Sequence, residues 1–527
     1  MNIENTGSTS GIVHLHPQDN VAIAKIDLQT NAILKHPHTK ITVRQPIPTG
    51  HKIALREIPA GERVYRYGQI IGFARRTILP GEHVHTHNLG LQEAGRRTQR
   101  VIADTPEKIS VDLGIVRNPH KPAPDMVEHR TFLGYERPDG RVGTRNYIAV
   151  ISTANCSAHA SREIARHFVP ERLAAFLNVD GVIALTHTMG CPVRHVMLER
   201  TLAGMARHPN VAACILIGLG CETNHAHALL ENHDLCDCGV MTGCPPTLVI
   251  QELGGIRKTV QAGIAAIEKL LPAANAAQRT PQPISKLTLA LQCGGSDAWS
   301  GVTANPVVGL AADEIVRQGG TVVLAETPEI YGAEHLLARR AASPDIGQKL
   351  LEQVHWWEQY ARRMGIELDD NRSVGNEAGG LTTIYEKSLG AVIKAGSTPL
   401  TGVYDYAEAV TTQGFAFMNS PGYDPVSITG QVAGGCNLVL FTTGRGSVFG
   451  FKPAPCIKIS TNSAIYERMS DDMDLNAGRV LQGVEMEQVA AELLDLVIAV
   501  ASGQPSKSEA QGVGEAEFCP WNVEGTL

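Results

Sequence analysis

The apolar positions of the chain follow two patterns, and the change between them lies near residue 131. Between residues 11 and 90, short apolar stretches such as VAIAKIDL, KITVRQPI and RVYRYGQIIGFA are separated by Pro-Thr-Gly, Pro-Ala-Gly and Pro-Gly turns. Short strands divided by turns at this spacing are typical of all-β domains. We therefore predict a small all-β domain over residues 11–90, followed by a polar, proline-rich linker over residues 91–130.

Beyond residue 131, the apolar residues form continuous runs with helical stretches between them. YIAVIST, GVIALTH and ACILIGLG come first, and LTLALQ, GTVVLAE and NLVLFTT follow a break at residues 273–285. Continuous apolar runs are typical of parallel strands that are buried on both faces. We therefore predict an α/β fold after the all-β domain. It comprises one domain over residues 131–272, a second over residues 286–505, both with mainly parallel sheets, and a C-terminal tail over residues 506–527.

Reactive side chains follow five of these apolar runs. Ligands of open parallel sheets bind beyond the carboxyl ends of the strands. A single such residue could belong to an ordinary turn, but five strand ends of the same design predict a binding crevice. The residues are Cys156 after YIAVIST, His187 and Cys191 after GVIALTH, Cys221 and Glu222 after ACILIGLG, Cys293, Ser296 and Asp297 after LTLALQ, and Thr443 and Arg445 after NLVLFTT.

Composition narrows the class of protein. The 527 residues include 43% hydrophobic and 19% charged residues, carry a formal net charge of −7, and contain no basic stripe with interleaved aromatics, which argues against a nucleic-acid partner. No run approaches the roughly 20 apolar residues that span a bilayer, and the N-terminus lacks a signal-peptide pattern. Eleven cysteines without framework spacing indicate reduced thiols. We expect a cytoplasmic homo-oligomer without a membrane partner.

Histidines that alternate along the first domain offer metal ligands. His83, His85 and His87 would share one face of a strand, and His14 and His16 repeat this spacing. Imidazoles on one face can bind a divalent metal, although a solvated polar face has the same pattern, and both readings stay open.

Other motifs carry less information. The segment HDLCDCGVMTGC lacks the paired spacing of a zinc site, so we interpret its cysteines as small buried thiols. The dinucleotide fingerprint, the P-loop and the serine-hydrolase elbow are all absent. Lys387, near two glycines in GGLTTIYEKSLG, is either a surface lysine, a base or a ligand for a substrate carboxylate.

The order of several long motifs resembles that of one known family. DNVAIA, GRVGTRN, GVIALTHTMGC, IGLGCE, QCGGSDAWSGVTANP, GGLTTIYEKSLG, FTTGRG and KISTN occur in the order typical of altronate/galactarate dehydratases, and residues 11–90 resemble a SAF-type β-clip domain. The resemblance implies a hydro-lyase that removes water from a sugar acid, of the D-altronate or galactarate type, to give a 2-keto-3-deoxy sugar acid. It also implies a divalent metal, Fe²⁺ or Mn²⁺.

Such a reaction removes the proton beside a carboxylate and expels a hydroxyl, so it needs a base, an acid and positive charge. The catalytic candidates are Asp297 and Lys387 as bases, and His187 and Glu222 as acids. The candidates for binding substrate are Arg145, Asn146, Ser296, Thr443 and Arg445. The candidate metal ligands are His16, with Asp19 and Asn20 of the DNVAIA motif, His85, His87, Cys191 and Cys293. A second reading places an iron–sulfur cluster on Cys156, Cys191, Cys221 and Cys293.

One segment departs from the family pattern. Residues 371–380 read NRSVGNEAGG where the resemblance leads us to expect NPSPGNKAGG, so Arg372, Val374 and Glu377 are unusual. A charge reversal near Lys387 leaves the identity of the sugar acid open. The alternatives are a related lyase that expels sulfite from sulfolactate and a non-catalytic sugar-acid-binding protein.

Overall fold

A computed structural model describes residues 11–36, 39–91, 130–191 and 194–523. The predicted linker over residues 91–130 lies outside these ranges apart from its two end positions. The chain between them forms an all-β domain followed by two α/β domains with parallel sheets, which confirms the predicted fold class.

The N-terminal domain consists of short antiparallel strands. One sheet has the order β1-β2-β5-β8, a second has the order β6-β7-β9, and β3 pairs with β4. At the Pro-Gly turn, Gly81 has a φ of +83° and a Cβ there would lie 1.9 Å from the carbonyl oxygen of Thr42, so only glycine fits. The strands are β1 Ile12–Val13, β2 Val21–Ala24, β3 Ile33–His36, β4 Thr39–Thr42, β5 Lys52–Ala54, β6 Arg63–Arg66, β7 Gln69–Ala74, β8 His83–Val84 and β9 Leu89–Gly90.

The second domain is built on a parallel sheet of order β13-β12-β14-β15, and a small antiparallel sheet of order β11-β10-β16 adjoins it. All eight residues of β14 are buried, as expected for a strand covered on both faces. Its elements are β10 Thr131–Glu136, β11 Val142–Gly143, β12 Tyr147–Ser152, α1 Ala158–Arg166, α2 Pro170–Leu173, β13 Gly181–Leu185, α3 Val196–Ala206, β14 Val211–Gly218, α4 Ala226–His233, β15 Thr247–Val249, α5 Ile250–Leu253, α6 Ile256–Ala276 and β16 Arg279–Pro283.

The third domain carries a seven-stranded parallel sheet of order β19-β20-β18-β17-β21-β22-β23. β17 is the central strand, with β18, β20 and β19 on one side and β21, β22 and β23 on the other. The loops after β17 and β18 therefore lie near the centre of the carboxyl edge of the sheet. Its elements are β17 Thr288–Cys293, α7 Ala304–Arg317, β18 Thr321–Leu324, α8 Glu334–Ala338, α9 Pro344–Met364, α10 Val374–Ala378, α11 Ile384–Ala391, β19 Leu400–Tyr404, β20 Gly414–Met418, α12 Asp424–Ala433, β21 Leu438–Thr443, β22 Cys456–Ser460, α13 Ser463–Arg468, β23 Leu475–Asn476, α14 Met486–Ala501 and α15 Lys507–Ala510.

The N-terminal domain and the third domain share one apolar core. Val21 and Ile71 of the former pack in the same buried cluster as Trp299 and Leu389 of the latter. Burial of such side chains contributes roughly 1.5–3 kcal/mol each, so the β domain is held firmly against the third domain.

The C-terminal segment and the cysteine-rich loop differ from the predictions made from the sequence. Residues 506–523, assigned to a tail, contain α15, and Trp521 stacks on Trp357 with ring centroids 5.4 Å apart. Cys236 and Cys244 form a disulfide, which corrects the interpretation of that segment as small free thiols. The two cysteine Cα atoms lie 3.9 Å apart, and the loop between them has positive φ angles at Asp237, Gly239 and Gly243. Within the described ranges, no helix is long and apolar enough to cross a membrane.

Candidate active site

A cavity of about 300 Å³ opens at the carboxyl edge of the seven-stranded sheet. Its walls come from the loops after β17, β18 and β20, from residues 370–376 and from α11. Because parallel strands end at this edge, side chains distant in sequence meet here. The lining residues are Cys293, Gly294, Gly295, Glu326, Glu329, Asp370, Asn371, Arg372, Ser373, Asn376, Lys387, Gly422, Tyr423 and Asp424.

The inner wall of the pocket is a buried network around Glu329. Cys293 Sγ donates a hydrogen bond to Glu329 Oε2 at 3.0 Å. Lys394 Nζ donates to the same oxygen at 3.2 Å and also to the Cys293 sulfur. Lys387 Nζ lies 3.4 Å from Glu329 Oε1. One carboxylate therefore joins a thiol and two ammonium groups.

The carboxyl groups of Glu326 and Glu329 have opposite pKa shifts. Burial alone would raise the pKa of Glu329, but the ammonium groups of Lys394 and Lys387 outweigh burial and hold this pKa below its usual range. Burial raises the pKa of Glu326, and the neighbouring Glu329 carboxylate raises it further. At neutral pH the pair therefore holds one proton, on the Glu326 side.

Asp424 is the first residue of α12 and can exchange a proton near neutral pH. Gln292 Nε2 donates to Asp424 Oδ1 at 2.8 Å, which fixes the carboxyl group in the pocket wall. Burial raises the pKa of Asp424 to about 6 although this hydrogen bond opposes the shift, and the Glu329 carboxylate adds to it. A Cβ at Gly294 would lie 3.3 Å from Asp424 Oδ2, so glycine leaves that oxygen accessible.

The outer wall contains Lys387 and the segment that departs from the family pattern. Lys387 Nζ donates to the carbonyl of Asn371 at 2.9 Å. The guanidinium of Arg372 lies between Asp369 Oδ2 at 2.7 Å and Glu377 Oε1 at 2.8 Å. Val374 is 84% exposed. Two of the three unusual residues thus form one salt bridge at the pocket wall.

Asp297, predicted to be a base, is not among the residues that line the pocket. Its carboxylate accepts hydrogen bonds from Thr461 Oγ1 at 2.9 Å, Ser300 Oγ at 3.1 Å and Asn462 Nδ2 at 3.2 Å. Burial raises its pKa, and these hydrogen bonds oppose the shift. A Cβ at Gly444 would lie 2.1 Å from its Cγ. This geometry corrects the predicted role, because the carboxylate joins the loop after β17 to the loop after β22 behind the pocket.

Three predicted substrate ligands support the pocket from outside its lining. The carbonyl of Ser296 accepts from Asn376 Nδ2 at 2.8 Å. Thr443 Oγ1 and the Arg445 backbone N–H both donate to the carbonyl of Gly295, at 3.5 and 3.0 Å. Gly295 and Asn376 line the cavity, so these contacts shape its wall.

Arg145 and Asn146 lie at the opposite end of their strand from any carboxyl edge, because they precede β12. Arg145 Nε donates to Glu509 Oε1 at 2.7 Å, and Asn146 Nδ2 donates to the carbonyl of Asn178 at 2.6 Å. The structure therefore corrects their predicted role in substrate binding: both join segments of the protein interior.

His187 and Glu222, predicted to be acids, lie at the edge of the second domain and not in the pocket. His187 Nε2 lies 3.1 Å from the carbonyl of Ser152, and burial lowers the pKa of its imidazole to about 4. Glu222 accepts from Thr153 Oγ1 at 2.7 Å and from the Gly220 backbone N–H at 2.6 Å. Both side chains hold loops together, which corrects the predicted catalytic roles.

The predicted histidine ligands form a cluster whose nitrogens are largely occupied. The ring of His83 lies beside those of His51, His85 and His87, and the His51 and His85 centroids are 4.8 Å apart. His85 Nε2 lies 3.0 Å from the carbonyl of Glu377, and its Nδ1 lies 3.1 Å from Thr86 Oγ1. The cluster therefore docks the β domain on residues 377–378.

His16 lies elsewhere in the N-terminal domain. Its Nδ1 accepts from the Gln18 backbone N–H at 3.1 Å and its ring packs against Gly68. Nearby, Asp19 accepts from the Gly68 N–H at 2.8 Å, and Asn20 Nδ2 donates to the carbonyl of Arg63 at 2.9 Å. These residues hold local turns.

Sequence reasoning missed the acidic residues of the pocket. Glu326 ends the apolar run GTVVLAE and Glu329 lies three residues beyond it, so the argument from the ends of the strands would also have found these two residues. Asp424 follows β20 through a short loop in GYDP, and Lys394 is a buried lysine within an otherwise apolar stretch. A lysine in such an apolar stretch indicates a buried charge, which requires a partner of opposite charge nearby.

The pocket offers ligands for a divalent metal. Cys293, Glu326 and Glu329 each present one ligand atom, and the three atoms lie within 4.8 Å of one another. Carboxylate oxygens and a thiolate sulfur are both ligands that divalent transition metals accept. Glu326 keeps its proton, but the other three acidic residues of the lining, Glu329, Asp370 and Asp424, still outnumber the basic residues Arg372 and Lys387. An anionic substrate would be repelled unless a bound cation changed this balance.

Comparison with known proteins covers nearly the whole chain. Residues 10–92 match the altronate/galactarate dehydratase SAF domain, residues 134–275 the second domain of D-galactarate dehydratase/altronate hydrolase, and residues 284–526 the D-galactarate/altronate dehydratase C-terminal domain. Altronate dehydratase of Bacillus subtilis is 35% identical over 498 residues, 93% of this chain and 95% of the relative.

Two further relatives have different named activities. Galactarate dehydratase (L-threo-forming) of Escherichia coli is 34% identical over 505 residues, which are 94% of each chain. The beta subunit of (2R)-sulfolactate sulfo-lyase from Chromohalobacter salexigens is 33% identical over 397 residues, 74% of this chain and 96% of the subunit.

Proposed function

The chain belongs to the D-galactarate/altronate dehydratase family, and we propose that it removes water from a sugar acid of the altronate or galactarate type in the pocket of the third domain. The observation that carries this assignment is the combination of Asp424, a carboxyl group with a pKa of about 6, with the ammonium group of Lys387 in one cavity. Its relatives are hydro-lyases, so the alternative of a non-catalytic binding protein is set aside.

Asp424 carries out the proton transfer. Its free oxygen takes the proton from the carbon beside the substrate carboxylate, and the protonated carboxyl then gives that proton to the hydroxyl that leaves the next carbon. The products are water and an enol, which tautomerises to the 2-keto-3-deoxy acid. A single group suffices because its pKa lies near neutral pH.

Lys387 and the backbone N–H of Gly295 hold the substrate carboxylate. The Lys387 side chain lines the cavity and is kept in place by Asn371 and Glu329. Glycines let the backbone approach an anion closely. These groups orient the carboxylate so that the adjacent carbon lies beside Asp424.

A divalent metal would be held by Cys293, Glu326 and Glu329, where it would supply positive charge as negative charge develops on the substrate. Its binding requires Glu326 and Cys293 to release their protons. Lys394 contacts both Cys293 and Glu329, and its positive charge would offset part of the negative charge of these two ligands.

We expect activity to depend on both metal and substrate class. The protein, loaded anaerobically with Fe²⁺ or Mn²⁺, should form 2-keto-3-deoxy acid from altronate or galactarate, and treatment with a chelator should lower the rate by about a hundredfold or more until metal is restored. The assay includes hexonates, hexarates and sulfolactate. Release of sulfite from sulfolactate alone would favour the sulfo-lyase reaction, and no product from any acid would refute the proposal.

We expect the variant K387Q to raise KM about tenfold with a smaller change in kcat, because Lys387 binds the substrate carboxylate in the ground state and in the transition state alike. Steady-state kinetics measure the two constants separately. The matched control is K349Q, since Lys349 is an exposed lysine with only a 3.8 Å ion pair. A fall in kcat at unchanged KM would instead identify Lys387 as the base.

A further inference from the structure

Three cysteines meet at the carboxyl edge of the second domain's sheet. Cys156 follows β12, Cys191 follows β13 and Cys221 follows β14, and β12 lies between the other two strands. The Sγ atoms of Cys156 and Cys191 are 3.9 Å apart. Cys221 lies on the loop whose Thr223 backbone N–H donates to the carbonyl of Cys191 at 2.9 Å. The three sulfur atoms therefore share one neighbourhood.

The loops that carry the thiols are fixed by contacts in which the sulfur atoms take no part. The Asn155 N–H donates to the carbonyl of Met189 at 3.0 Å, and the Thr223 N–H donates to that of Cys191 at 2.9 Å. The side chains of Glu222 and His187 also join these loops to the end of β12, as described above. The arrangement is therefore preorganised, which favours binding of a ligand by all three thiols.

The sulfur atoms remain accessible and have a suitable donor beside them. Cys156 and Cys221 are exposed and Cys191 is half-buried. Gln251 Nε2 donates to the Cys221 sulfur at 3.5 Å. Hydrogen bonds to sulfur are among the features that tune thiolate-bound iron.

We propose that Cys156, Cys191 and Cys221 bind an iron–sulfur cluster through three thiolates, with one iron left for a ligand from solution. The three sulfur atoms do not all lie within 4.8 Å of one another, which is wider than the thiolates of a single tetrahedral ion. A cluster spans a larger distance. Each thiol loses one proton on binding, and no sulfur is oxidised.

This site is independent of the pocket in the third domain. No described residue between 130 and 275 lines that pocket. The proposal also gives Glu222 and His187 a function as positioning residues, since each fixes a loop that carries one thiol. Loss of the cluster and loss of dehydration in the pocket are therefore separable.

The test is anaerobic reconstitution of the full chain with sulfide and equal amounts of Fe²⁺ and Fe³⁺, which together supply the mixed oxidation states of a four-iron cluster. We expect about four iron and four sulfide ions per chain, with visible charge-transfer absorption. C156S, C191S and C221S should each retain less than about a tenth of this content, whereas C519S, which replaces a half-buried thiol elsewhere, should retain it. E329Q, which alters the pocket, should also keep the cluster.

A second measurement does not depend on variants. In the reconstituted protein, the three thiols should resist alkylation by iodoacetamide, and removal of the cluster should expose them together. Bound iron without sulfide, one zinc ion per chain, or a Cys156–Cys191 disulfide without metal would each overturn the proposal. Circular dichroism of the variants separates loss of the cluster from loss of the fold.

Discussion

The variant D424N should lower kcat by about a thousandfold while the protein remains folded, because the amide cannot accept the substrate proton. The substitution preserves the shape of the side chain and its contact with Gln292, whose Nε2 lies 2.8 Å from Oδ1. Substrate binding should change little, since Lys387 and the glycine backbone are unaltered. Steady-state kinetics with the metal-loaded protein measure both effects.

The pH dependence gives an independent check on Asp424. In the wild type, kcat/KM should fall as the pH drops below about 6, because burial raises the pKa of Asp424 to that value and its protonated form cannot act as a base. The residual kcat/KM of D424N should not show this fall at low pH, which we call the acidic limb. D471N, at an exposed aspartate, is the matched control. A kcat within tenfold of the wild type, with the acidic limb retained, would place the base elsewhere.

Much of the architecture could be predicted from the pattern of apolar residues. Continuous runs such as those of β14 and β21 are buried on both faces, and this requirement alone distinguishes them from the half-exposed strands of the first domain. Packing between domains produces no comparable pattern of apolar residues in the sequence, so the contact of the first domain with the third was not predicted. The disulfide between Cys236 and Cys244 was missed for a related reason, since it depends on the backbone conformation of one loop.

The position of the site was easier to predict than the function of its residues. The strand-end argument correctly brought Cys293 to the pocket, but it could not tell which neighbouring side chains face the cavity. Asp297 lies four residues from Cys293 and turns into the interior, where three side chains and the Trp299 backbone N–H donate to its carboxylate. Glu329 is an active-site candidate because two lysines, 58 and 65 residues away, approach it in space. Such distant contacts are invisible in the local sequence.

The contact between the N-terminal domain and the third domain contains a buried ion network that the sequence did not reveal. Lys52 Nζ lies 2.9 Å from Glu386 Oε2, Arg66 binds the other oxygen of Glu386, and all three side chains are almost completely inaccessible to solvent. Lys52 Nζ also donates to the carbonyl of Gly380, and Arg66 to that of Ala298. Glu386 therefore neutralises two cations that otherwise would be buried without a partner.

The variant E386Q should lower the free energy of unfolding by about 3–5 kcal/mol, because it leaves both cations of the network unpaired in the protein interior. Chemical denaturation measures this difference. Burial alone would raise the pKa of Glu386, but Lys52 and Arg66 lower it to about 2. A depressed pKa stabilises the fold above the ordinary value of 4.5, and this stabilisation is lost as the pH falls towards 2. The difference in the free energy of unfolding between the wild type and E386Q should therefore decrease as the pH falls from 4.5 towards 2.

The matched control for E386Q is E163Q. Glu163 pairs with Arg166 on the surface of α1, where the two side chains are 40% and 71% exposed, so its loss should cost less than about 1 kcal/mol. An equal, small effect of the two substitutions would show that the cations of Lys52 and Arg66 find other partners when Glu386 is neutral. A large effect confined to E386Q would identify this ion network as the main electrostatic attachment of the β domain, in addition to the apolar packing and the contacts of the histidine cluster.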